Sequence, residues 1–131
     1  MDTKEKIIYW LSLAHYDLVS AQAMLKSKRF LYVGFLCHQV AEKCLKAHFW
    51  HTRKENPPYT HNLLLLSEKS KFDQHADEKQ LVLFNELMPL NIQARYPEDK
   101  ELLLKALSEK KCREFYKKTK EFYLWIKKLL K

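Results

Sequence analysis

Only four prolines and one glycine punctuate 131 residues, and the prolines fall at three places: Pro57-Pro58, Pro89 and Pro97. A chain so poor in turn chemistry must be built from long unbroken segments. Lys, Leu and Glu, which favour helix, fill them. The fold this predicts is all-α, an up-and-down antiparallel bundle of about five helices: a four-helix core plus one short helix, in a single domain over residues 1–131.

The apolar spacing supports that reading. From Lys4 to about Ser27, the residues Ile7, Leu11, Ala14, Leu18, Ala21 and Leu25 lay one stripe along a helix. A second helix runs from about Phe30 to His51. It is apolar over most of its circumference, which places it in the middle of a bundle or at a subunit interface. "TRKENPPYT" is a loop, since Pro57-Pro58 forbids helix. Thr60 is the expected cap of a short third helix carrying Leu63 to Leu66. Asp77 is the expected cap of a fourth, with Leu81, Phe84, Leu87 and Met88 inward. Pro89 should kink or end it and Pro97 should stop it. "KELLLKAL" reads as a connector. Ser108 should then cap the last helix, with Cys112, Phe115, Thr119, Phe122, Ile126 and Leu129 inward.

Charge is concentrated at one end. Residues 100–131 carry eleven Lys/Arg against four Asp/Glu, which is +7 of the chain's net +8. Lys110, Arg113, Lys117 and Lys120, continued by Lys127 and Lys131, form a basic stripe on the last helix, a surface for RNA phosphates or simply a solvated face. No apolar run is long enough to span a membrane, and the N-terminus lacks the pattern of a signal peptide. Cys37, Cys44 and Cys112 are an odd number of thiols on apolar faces, as expected of buried cysteines in a cytoplasmic protein.

Candidate site residues sit in three places. On helix two, His38, Gln39, Glu42, Lys43 and Lys46 make a narrow polar strip in which Gln39–Lys43 and Glu42–Lys46 are i, i+4 pairs. The strip is either the floor of a ligand site or a network that fixes bundle register. His61 lies at a helix start, where free amides favour an anion. Arg95 and Tyr96 precede Pro97, so a guanidinium fork for phosphate stands beside an aromatic ring for a base. The plainer alternative for Arg95 is a helix-end arginine paired with Glu42 or Glu98. His48 and His51 lack a third ligand, so no metal and no cofactor are expected. Leu124 and Trp125, off the apolar arc, suit a subunit or partner contact.

"HQVAEKCLKA", "PPYTHNL", "ARYPEDK" and "TKEFYLWIKKLL", in that order and preceded by "WLSLAHYDLVSAQAML", resemble the prokaryotic HEPN-domain family over nearly the whole chain. The resemblance implies a homodimeric all-α protein, nucleotide or RNA binding, and a toxin–antitoxin-type pairing with a minimal nucleotidyltransferase. Arg95 would be the anchor of that binding, with Tyr96, Glu42, Lys43, Lys46 and His61 lining the site. Family members that cleave RNA without metal carry an Arg followed, after four to six residues, by a His. Here no histidine follows Arg95. Arg53 to His61 and Arg29 to His38 are separated by seven and eight residues. The sequence therefore leans away from an enzyme. Two alternatives stay open: a ribonuclease toxin with a non-standard site, using Arg95 with His38 or His61, and a purely structural helical interaction module.

Overall fold

The computed structural model describes the backbone of residues 1–91 and 97–131, and the side chains of 1–91 and 101–131. Six α-helices follow in order: α1 (Thr3–Lys26), α2 (Phe30–Arg53), α3 (Leu63–Lys69), α4 (Glu78–Leu87), α5 (Pro97–Ala106) and α6 (Glu109–Leu129). Short 3₁₀ turns occupy Phe72–Gln74 and Met88–Leu90.

Local chemistry sets most boundaries. Asp2 caps α1 through the Glu5 amide at 2.8 Å, and Ser108 caps α6 through the Lys111 amide at 3.1 Å. Asp77 and Gln80 exchange side-chain-to-backbone bonds in a capping box at the start of α4. The cap of α3 is Asn62, whose Oδ1 accepts from the Leu65 amide, and not Thr60. Thr60 instead takes the Asn62 amide, because it lies two residues too early to reach the first turn. α4 ends at Leu87, and Pro89 lies in the 3₁₀ turn that follows. The fourth helix has already ended at Leu87, and Pro97 opens α5; its fixed φ and missing N–H suit a first helical position. The expected connector is therefore helical as far as Ala106, which gives six α-helices among the described residues. With a single glycine in the chain, Lys28, Lys54 and Lys71 take the left-handed turns that glycine usually fills.

Direction follows from the contacts. Asp17 meets Lys43 and Trp10 meets Lys46, so α1 and α2 are antiparallel. His15 lies against Tyr123 while Gln22 and Lys26 lie by Arg113 and Tyr116, so α1 and α6 are antiparallel too. Cys112 Sγ approaches the Phe30 carbonyl and Cys37 lies beside Thr119, which makes α2 and α6 parallel. Lys111 pairs with Glu86 at 3.0 Å while Phe122 packs on Phe84, so α4 opposes α6. α1 and α4 thus run one way, α2 and α6 the other, and α3 and α5 sit within the connections.

α2 is the axis and touches each of the other five helices. Val33, Cys37, Val40, Ala41, Cys44 and Leu45 are fully buried along it. Gly34 permits close approach of the 3₁₀ turn, since a Cβ there would come within 3.1 Å of Leu90 Cδ1. At the other end Phe72, Phe84 and Phe122 form a ring cluster with centroids 5.0–5.9 Å apart, Phe122 edge-to-face with each of the other two. Truncating one of these rings to Ala would cost roughly 3–5 kcal/mol. On α6, Cys112, Phe115, Thr119, Phe122 and Ile126 are buried as expected. Leu129 is not, because the helix phase turns Tyr123 inward in its place.

A candidate polar site on helix two

The strip on α2 is inside the molecule. His38, Gln39, Glu42 and Lys46 are all buried, although three of the four are ionisable. Such groups are tolerated only when bonded to one another. Glu42 supplies the centre. Its Oε1 accepts from His61 Nδ1 at 2.7 Å and its Oε2 accepts from Lys46 Nζ at 3.1 Å. His38 Nδ1 stands 4.0 Å from the same Oε1.

His38 plays a different part. Its Nε2 lies 3.0 Å from the His61 carbonyl and can satisfy that oxygen only as a donor. Nδ1 is then the acceptor, met by the Gln39 amide at 3.4 Å. Burial holds this imidazole below its usual pKa, outweighing the opposing pull of Glu42. A neutral His38 thus ties the backbone of the Pro57–His61 loop to α2, while Glu42 ties its side chain. Both bonds position the His61 imidazole, whose side chain keeps 44% of its surface exposed.

α1 completes the surround with residues that sequence periodicity does not single out. Lys46 Nζ lies 5.4 Å from the Trp10 ring centroid, and Lys43 bonds Asp17 instead of the expected Gln39. Nearby, Lys6 stands over the Trp50 ring at 4.1 Å. Asp17 and Trp10 could have been suspected only as polar and aromatic breaks beside the α1 apolar stripe.

The other candidates divide. Arg95 and Tyr96 lie outside the described residues. His61 is brought to Glu42 and Lys46, but it precedes Asn62, whose own side chain serves the α3 amides. Lys110, Arg113, Lys117 and Lys120 are exposed on α6, away from the Glu42 cluster. Arg113 is bonded there to Glu109, at 3.3 Å from Nε and 3.2 Å from Nη2. His48 gains a second histidine neighbour, with ring centroids 6.2 Å from His51 and 5.9 Å from His75. No group of three His, Cys, Asp or Glu able to hold a metal occurs among the described residues. Likewise, no helix among them is long and apolar enough to cross a membrane.

Comparison with known proteins agrees with this architecture. The crystal structure of TT1696 from Thermus thermophilus superposes with a TM-score of 0.79, covering 94% of this chain and 97% of that one. At 19% identity the likeness establishes the fold alone. No curated protein matches the chain. The family model described as the HEPN domain matches residues 7–129, nearly the full length, and the chain belongs to the HEPN-domain family.

Proposed function

We propose that the protein is a nucleotide- or RNA-binding HEPN-domain component, acting as a homodimer in a toxin–antitoxin-type pair with a minimal nucleotidyltransferase. The observation that carries this reading is the Glu42 cluster. A buried carboxylate bonded to Lys46 and to a half-exposed His61 is a costly arrangement for a helix that could have been filled with leucine. It sets an imidazole that can bear charge, held in one orientation, at the mouth of a polar interior. Arg95 and Tyr96 are proposed as the phosphate and base contacts that complete it. The exposed Leu124 and Trp125 are proposed to lie in a subunit contact.

Titration with single-stranded RNA and with nucleotides at several salt concentrations tests the reading. Binding should weaken as salt rises, and Arg95→Ala or His61→Ala should weaken it at least tenfold, the latter with a lower melting temperature because the buried Glu42 loses a partner. Absence of binding at low salt, to RNA and nucleotides alike, overturns it.

One observation favours a second reading, metal-independent RNA cleavage. A carboxylate on His61 Nδ1 fixes the tautomer and leaves Nε2 as the proton acceptor, the arrangement a general base requires. His38, committed to a carbonyl, is the poorer base. Purified protein should then shorten RNA in the presence of EDTA and lose this activity in His61→Ala. Intact RNA after prolonged incubation refutes it.

A further inference from the structure

Two hollows flank α6, and their chemistry differs. The larger, about 740 Å³ between α4 and α6, mixes Lys79, Lys117 and Lys118 with Asp77, Glu78, Glu114 and Glu121, so it offers an anion no net attraction. The smaller, about 260 Å³, lies between the C-terminal end of α1 and the start of α6. Gln22, Leu25, Lys26, Arg113 and Tyr116 line it, giving two cations, one amide, one phenol and no acid. Pockets for whole drug-sized ligands begin near ~300 Å³, so this one suits a single phosphate-sized group.

The hollow is one end of a longer track. Because α1 and α6 are antiparallel neighbours, the edge of α6 facing α1 carries Arg113, Lys120 and Lys127 at seven-residue steps, roughly 10 Å apart along the axis. Tyr116 lines the hollow, and farther along Lys127 Nζ rests 5.9 Å from the ring of the buried Tyr123. Glu109 sits on the same edge but is bonded to Arg113, where it orients the guanidinium and uses two of its five N–H donors. Three donors remain for another acceptor. Cations repeated along about two steps, with the half-buried Tyr116 ring at one end, fit an extended polyanion better than a lone anion.

We propose that the α1/α6 groove is a backbone track for single-stranded RNA, with Lys26 and Arg113 forming a phosphate subsite at its α1 end. This rests on the RNA-binding reading above and names a second contact surface, separate from the Glu42 cluster.

The test is equilibrium binding of a fluorescein-labelled single-stranded RNA of mixed sequence across a salt series. The comparison is between wild type, a variant carrying Lys26→Ala with Arg113→Ala, and one carrying Lys79→Ala with Lys118→Ala. The first pair should lower the slope of log K against log salt by about 0.7, the value for the one single-strand phosphate that the subsite holds. The second pair removes the same charge from the α4/α6 hollow and should leave the slope as it was. All four side chains are exposed, so both variants should melt with the wild type. Wild-type binding with an unchanged slope in the first pair, or an equal drop in both, overturns the track and leaves the Glu42 reading standing. No RNA binding by wild type overturns the track and the RNA half of the reading above. Competition by polyglutamate as strong as by unlabelled RNA overturns the track as an RNA site, since charge alone would then account for the binding.

Discussion

Glu42 Oε1 and His61 Nδ1 meet at 2.7 Å, joining the most buried helix to the loop that follows it across nineteen residues of sequence. Both partners of Glu42 are cationic or able to become so, and neither Glu42 nor Lys46 has free access to water. Removing the carboxylate charge therefore leaves an ammonium stranded.

Glu42→Gln should destabilise the fold by roughly 3 kcal/mol, the lower end for breaking a buried pair. Lys46→Met should cost less on the double variant than on wild type. Urea unfolding of the two single variants and the double checks the coupling; strict additivity would show that the pair does not act as a unit.

His48 predicts an acid limb. Burial, with smaller contributions from His51 and His75, pushes its pKa down to about 4 from an ordinary 6.5. The unfolded chain binds the proton more readily, so this stability is whole above pH 6.5 and is lost as pH falls toward 4, by about 2–3 kcal/mol. The buried His38, also lowered, acts in the same direction. His48→Phe, placed against Phe72, should flatten the melting temperature between pH 6.5 and 4.5; an unchanged acid limb would assign it elsewhere.

Lys54 ends α2 with φ of 57° and ψ of 35°, a conformation costing a residue with a Cβ about 1–2 kcal/mol. Glycine relieves that cost but loses more entropy on folding, so Lys54→Gly should stabilise by roughly 0.5–1 kcal/mol. A rise of a few degrees in melting temperature is the expected result.

The three thiols are fully buried, and burial pushes Cys37 up to about 12 and Cys112 up to about 11, with Cys44 raised as well. Thiolate is the reactive form, so alkylation at pH 8 should proceed only as fast as the protein unfolds. Rapid labelling of any one cysteine in the native protein would contradict this.

How much of this the sequence discloses depends on the range of the interaction. Asp77 and Ser108 are readable as caps because each bonds an amide three residues on. Thr60 and Asn62 are both good caps two residues apart, and only the backbone angle at Asn62 decides between them. α5 is obscure because, of its leucines, Leu103 packs against the core while Leu102 and Leu104 are largely exposed, so no apolar stripe marks it. The strip on α2 is visible as residues, but its partners are not: Asp17 reaches Lys43 from another helix, and His61 arrives by a loop. Arg95 and Tyr96, the most identifying residues of the resemblance, lie outside the described residues.

The parallel placement of α2 and α6 has a consequence for biosynthesis. The wall that covers Cys37 and Cys44 comes from Thr119 and Tyr123, some eighty residues later. On a ribosome adding ~5–20 residues each second, the α1–α2 hairpin emerges several seconds before its cover. Through that interval the nascent chain carries its most apolar helix without its last wall, and nearby chaperones have a defined target.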